Sequence, residues 1–235
     1  MKKSLILLPL ILTFAFQLTV SAQSKIPVKL GLKASPNIGW MTPGTKGYSS
    51  DGALVGGTIG FISDIYFAPN YALSTGLNFQ YINGSLEYRD SLLVNESNHY
   101  VTKYGDISAR YKILYLEIPI TVKMSTKQFG KMSYFGQIGF GTGFRLNANK
   151  NEEFQPVNGE PVDQQYEFNG GTTLIREAVL IGLGFNYHLD ESSRILVGIT
   201  YSNSLNNILT GTNYSTNEAE KSHLNFAELN IGFIF

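Results

Sequence analysis

The 235-residue chain has no cysteine. That excludes disulfides, thiol nucleophiles, thiolate metal centres and a lipid-modified cysteine anchor. Charged residues are scarce at 15%, against roughly 25% in soluble domains. Basic and acidic residues balance at 18 each, so nothing in the charge points to a nucleic-acid partner. After the N-terminal stretch no run approaches the ~20 apolar residues of a membrane-spanning helix. The three histidines, His99, His188 and His223, are scattered, and no metal-ligand spacing, phosphate loop or nucleophile elbow occurs. Neither a cofactor nor a metal is therefore expected.

What is present begins with a leader. Lys2 and Lys3 precede an almost wholly apolar stretch from Leu5 to Val20, and Val20-Ser21-Ala22 forms a small-residue cleavage site. The expected organisation is a signal peptide over residues 1–22 and one domain over residues 23–235. Loss of Lys2 and Lys3 leaves 16 basic against 18 acidic residues.

The rest of the chain carries a two-residue rhythm. Leu114, Leu116, Ile118, Ile120, Val122 and Met124 alternate with Tyr115, Glu117, Pro119, Thr121 and Lys123. Side chains alternate across a strand, so this segment has an apolar face and a polar one. Comparable segments are expected at Val28–Asn37, Ala53–Ala68, from Tyr71 to Tyr81, Tyr134–Leu146, Ala178–Leu189, Ile195–Tyr201 and Ala227–Phe235. Eight strands follow, with connections that alternate long and short. Long loops are expected over Met41–Gly52, Arg89–Tyr111, Asn149–Thr172 and Ser202–Ser222. An up-and-down antiparallel barrel in a membrane has this pattern, with tight turns on the periplasmic side and both termini there.

Alternation alone does not say which face is inside, because a soluble barrel carries it with the faces reversed. Composition decides. The polar face is mostly Gly, Ser, Thr and Asn with isolated charges, which suits a narrow lumen rather than a water-facing wall. Tyr71, Tyr81, Tyr134, Tyr187 and Tyr201 fall near strand ends, where an aromatic girdle belongs. The expected fold is therefore an all-β transmembrane barrel of eight strands.

Inward ionisable residues are expected at Lys29, Lys33, Asp64, Glu117, Lys123, Arg145, Arg176, His188, Arg194 and Glu228. Charges in a narrow lumen must pair. The structural network is assigned to Asp64, Glu117, Arg145, Arg176 and Glu228, with Glu117 and Arg145 on adjacent strands. No catalytic residue is assigned. The nearest rim constellation is His223 with Ser222 and Glu220, neighbours in one loop. The acidic loop with Glu152, Glu153, Glu160, Asp163 and Glu167 reads as a solvated surface.

Tyr115-Leu116-Glu117-Ile118-Pro119-Ile120 resembles a strand of the PorT-like outer-membrane β-barrel family. Tyr134 to Gly139, Val28 to Ala34 and Ala178 to Tyr187 are similar to other strands of that family. Phe233 and the terminal Phe235 resemble the signal read by the barrel-assembly machinery. The resemblance implies a barrel in the cell outer membrane. Its expected partners are outer-membrane lipid, the assembly machinery during biogenesis, and envelope or secretion-system proteins. The expected role is non-enzymatic: structural, loop-binding or assembly-accessory. The alternatives are a secretion accessory, a lipid-modifying enzyme and a narrow pore.

Overall fold

Runs rich in Ile, Val, Leu, Phe and Tyr with strict alternation favour strands over helices, and nine strands form among the described residues. In the computed structural model, which describes residues 27–96 and 99–235, they are β1 (Val28–Pro43), β2 (Ser49–Ala68), β3 (Tyr71–Glu96), β4 (His99–Ser125), β5 (Met132–Pro156), β6 (Val162–Glu167), β7 (Ile175–His188), β8 (Arg194–Ser204) and β9 (Ser222–Ile234). The expected leader, residues 1–22, lies outside the described residues. All pairings are antiparallel. β1 to β5 pair in sequence, β5 pairs with β7, and β7, β8 and β9 follow. β9 returns to β1, with Leu32 opposite Phe233 and Trp40 opposite Asn225. The ring thus has eight strands. The ninth, β6, pairs only with the far half of β5, from Asn149↔Glu167 to Phe154↔Val162.

The apolar face points outward. Ile59, Phe140, Leu183, Ile120 and Ile231 are all exposed. Tyr71 and Tyr81 bracket this band on β3; about ten residues at ~3.3 Å each, tilted by ~40°, span roughly 25 Å, the height of a bilayer band. Aromatics mark both edges. Phe67 stacks on Tyr71 at the short-turn end, and Trp40 stacks on Tyr201 at 6.0 Å near the other edge.

Above that second edge the faces exchange character. On β4 the outward series Ile120, Ile118, Leu116, Leu114 gives way to exposed Lys112 and Arg110. The inward series changes at the same level, from Thr121 and Glu117 to buried Tyr115, Ile113, Tyr111, Ala109 and Ile107. β3 does likewise: outward Leu77, Phe79 and Tyr81 precede Asn83 and Glu87, while inward Asn78 and Gln80 precede Ile82, Leu86 and Tyr88. In lipid the barrel is greasy outside and polar inside. Beyond it the same wall is polar outside and encloses an apolar core of Met41, Ile82, Leu86, Tyr111, Ile113, Phe226 and their neighbours.

This exchange corrects two expected loops. Residues 89–96 and 99–111 are the two arms of a hairpin, paired from Tyr88↔Ile107 to Glu96↔His99. Residues 149–172 are the end of β5, then β6, then a 3-10 turn at Asn169–Gly171. Their polarity reflects an outward face that meets water, not a lack of regular structure. The first expected loop also shrinks, because β1 reaches Pro43 and β2 starts at Ser49. The last long loop, 205–221, folds inward and buries Ile208 and Leu209 in the upper core.

Candidate functional site: a filled lumen under a rigid outer wall

Inward polar side chains on β1, β2, β3, β4, β7, β8 and β9 converge because every strand presents alternate residues to one narrow axis. Near the short-turn end Asp64 accepts from Lys123 at 2.9 Å, from Arg194 at 3.0 Å and from Ser74 at 2.6 Å. Arg194 also donates to the Tyr66 hydroxyl at 2.6 Å. Further up, Glu117 faces Arg176 at 3.6 Å and accepts from Gln80 at 2.9 Å. Arg176 donates to Ser202 and to the Leu224 carbonyl. Lys33 bridges Glu228 at 2.8 Å and Asn230 at 3.0 Å.

The expected pairing of Glu117 with Arg145 is corrected. Glu117 lies opposite Gly143, while Arg145 lies opposite Tyr115, next to a bulge. The guanidinium of Arg145 donates instead to the carbonyls of Asn169 and Thr172 and to the Thr172 hydroxyl, fastening the 3-10 turn to the wall. The other members of the assigned network, Asp64, Arg176 and Glu228, lie in the lumen and are buried.

A cavity of about 60 Å³ separates these clusters, lined by Lys33, Asn78, Glu117, Lys123 and Glu228 among others. Asn78 Oδ1, Glu117 Oε2 and Glu228 Oε2 accept no hydrogen bond from protein. A polar space of this kind suits ordered water. Below it Ile62, Phe135, Leu196 and Ile234 make an apolar plug, with the Lys123 ammonium 4.6 Å over the Phe135 ring. Above it lies the apolar core. The lumen is therefore closed by apolar packing below and above this small cavity.

The outer wall holds a second built cluster that sequence reasoning treated as solvated surface. Lys150 lies 4.7 Å from the centre of the Phe168 ring, 5.3 Å from Tyr111 and 5.4 Å from Tyr88. Its ammonium pairs with Glu152 at 2.5 Å and donates to the Tyr88 hydroxyl at 2.8 Å. Glu152 accepts from Tyr88 at 3.0 Å and from Tyr166 at 2.6 Å. Burial pushes the Glu152 carboxyl up, but Lys150 and these hydroxyls outweigh it and hold the group below the usual carboxylate range. Burial drives the Tyr88 and Tyr111 phenols well above theirs, reinforced by neighbouring phenols and carboxylates. The clue in the sequence was Ala148, Lys150, Glu152 and Phe154, which keep the two-residue period after the apolar face has changed sides.

A second clasp holds loop 205–221. Asp90 accepts the N–H groups of Tyr214 and Ser215, and Asn213 donates to the Arg89 carbonyl and to the Tyr48 hydroxyl.

The rim constellation does not assemble. The His223 ring contacts the Ser204 carbonyl, Ser222 reaches only the His223 backbone, and Glu220 accepts from Tyr48. His188 Nε2 lies 2.9 Å from Ser133 Oγ at the opposite end. His99 is the first residue of β4, opposite Glu96. Phe233 and Phe235 are exposed on the lipid face, and the Phe235 N–H donates to the Leu30 carbonyl.

Residues 21–233 match the family described as Outer membrane protein beta-barrel domain. No curated protein matches the chain. Among solved structures it is similar to Neisserial surface protein A, at 8% identity over 88% of this chain and 97% of that one, with a TM-score of 0.42. It is also similar to Ail, the attachment invasion locus protein of Yersinia pestis, solved with the heparin analogue sucrose octasulfate. That match has 11% identity, covers 88% and 97% of the two chains, and has a TM-score of 0.36. The outer membrane protease OmpT from Escherichia coli matches at 10% identity over 92% and 99%, with a TM-score of 0.37. Similarities at this level say nothing of what the chain binds.

Proposed function

The chain belongs to the outer membrane protein beta-barrel domain family and resides in the cell outer membrane, and on that premise we propose that it is a sealed, non-enzymatic barrel that works as an extracellular docking platform. The observation that carries this reading is a set of apolar side chains in water, beyond the lipid band. Leu93, Tyr100, Tyr104, Val157 and Tyr214 are all exposed at the long-loop end, the end that faces outward in outer-membrane barrels. Exposed apolar surface on a rigid frame is the usual mark of a protein-binding face. Here the frame is paired hairpin backbone rather than mobile loop. The filled lumen argues against a conduit. The resemblance to PorT-like strands favours a secretion or envelope assembly as the client.

The test has two arms. Purified protein in planar bilayers should show no conductance steps. The triple variant Leu93→Ser, Tyr100→Ser, Tyr104→Ser should still fold to a heat-modifiable barrel but lose the envelope proteins that co-purify with wild type. Steady conductance, or undiminished recovery of those proteins by the variant, refutes the proposal.

A further inference from the structure

Two irregularities flank the β3–β4 pair at the level where the faces exchange. The register of β2 on β3 shifts between Ala53 and Gly57, and that of β4 on β5 shifts between Leu114 and Tyr115. Bulges bend a strand and re-aim its side chains. Between them the outer surface is hollowed into a groove of about 390 Å³, whose lining includes Tyr81, Asn83, Lys112, Leu114, Asn147 and Asn149.

The groove is two-toned. Leu114 and the Tyr81 ring belong to the lipid band, Asn147 lies opposite Leu114, and Asn83, Lys112 and Asn149 form the next outward rung above. Asn83 donates to the Val55 carbonyl at 2.6 Å, while among the described residues the side chains of Lys112, Asn147 and Asn149 have no protein partner. Outward residues at this level on the other strands include Thr42 on β1, Asn203 on β8 and Glu177 on β7, the last accepting from Thr142. Arg110 stands one step higher on β4, between Ser85 and Asn151. Lys112 is thus the cation at the bilayer edge, with uncommitted amides around it and lipid-facing carbon beneath it.

We propose that this groove binds the phosphate group of a membrane lipid. The acyl chains would run down over Leu114 and Tyr81. The phosphate would accept from the Lys112 ammonium and from the Asn147 and Asn149 amides, as charge-assisted hydrogen bonds favour. Gly57 opens the groove floor. A Cβ there would meet only the Ser35 carbonyl oxygen, at 3.8 Å, so the backbone accepts a side chain at this position and the open groove is where its further atoms would lie.

The experiment uses the full barrel reconstituted in nanodiscs that contain equal phosphatidylglycerol and phosphatidylcholine, released into mild detergent and weighed by native mass spectrometry. Phosphatidylcholine carries the same anionic phosphate beside a choline cation that competes with Lys112 for it, so selective retention reports a phosphate free to pair with that ammonium. Wild type should keep one phosphatidylglycerol in preference to phosphatidylcholine. Lys112→Ala should lose that preference by about tenfold, the scale of one charge-assisted contact. Gly57→Leu, which leaves every donor in place, should lose the retained lipid altogether. Equal retention of both lipids by wild type, or wild-type retention by both variants, overturns the proposal. Displacement of the retained lipid by millimolar inorganic phosphate would assign the site to the free ion and overturn the lipid assignment.

Discussion

Replacing Lys150 by Met tests whether the outer wall is held by its buried ion pair. Met keeps the apolar stem of the side chain and its packing on Phe168, Tyr111 and Tyr88, and removes the charge. Glu152, only 4% exposed, then has no cation. Breaking one partner of a buried pair costs about 3–5 kcal/mol. An upper limit comes from protonation: neutralising a carboxyl of ordinary pKa ~4.3 at pH 7 costs about 3.7 kcal/mol. The two phenols that already bond Glu152 soften the loss further. The expected destabilisation is therefore about 3 kcal/mol, and it is local, because β6 pairs only with β5. Amide hydrogen exchange at Val162–Glu167 should accelerate by roughly 10²-fold, while barrel amides such as Ile120 and Ile181 keep their protection. The double variant Lys150→Met, Glu152→Gln should recover most of that protection, since no charge is left unpaired. Acceleration below about fivefold in the single variant, or equal acceleration in the double, would refute the argument.

Acid should have a related effect. The folded-state pKa of Glu152 is depressed, so its stabilisation is complete above the unfolded carboxyl range and is lost as pH falls through the lower, folded value; exchange across β6 should rise in acid below about pH 4 before the barrel melts. In the lumen, Asp64→Asn strands Lys123 and Arg194 and should cost about 3–5 kcal/mol, seen as a lower temperature for the folded-to-unfolded gel shift; an unchanged temperature would count against the pairing. Gly76→Ala should fail to assemble, because its Cβ would fall inside the Phe61 carbonyl oxygen of the neighbouring strand; normal yield of heat-modifiable barrel would show that the strands can move apart there.

The barrel was legible because lipid imposes one rule on every strand, apolar out, and the rule survives in the order of Leu114 to Met124 without tertiary information. The outer wall was harder to read. Tyr104, Asp106 and Ser108 alternate with Gly105, Ile107 and Ala109, still at period two, but the apolar set has moved to the other parity. Read for a lipid face alone, that segment looks like a loop. The ion pairs were legible as a class and not as partners. Arg145 and Glu117 belong to adjacent strands and lie one pleat apart in regular register, yet Arg145 is taken by the carbonyls of Asn169 and Thr172 and Glu117 faces Arg176; which of several nearby partners a charge takes is set by the fold of the turn and not by strand adjacency. Lys150 was missed because a cation among acids in a polar stretch looks solvated until the aromatic rings from β3, β4 and the turn after β6 close over it.

The exchange of faces at the upper edge also governs how deep the molecule sits. A barrel whose outer wall faded gradually from greasy to polar could bob along the membrane normal at little cost. Here a downward slip by one pleat drags Lys112, Asn83 and Asn149 into hydrocarbon, and an upward slip lifts Tyr81, Leu114 and Trp40 into water. A cation costs ~0–1 kcal/mol near the interface and ~2–4 kcal/mol at the midplane, and the amides of Asn83 and Asn149 on the neighbouring strands add their own cost of leaving water. The wall is thus moored vertically, and the hairpin above it is carried at a fixed height over the cell surface.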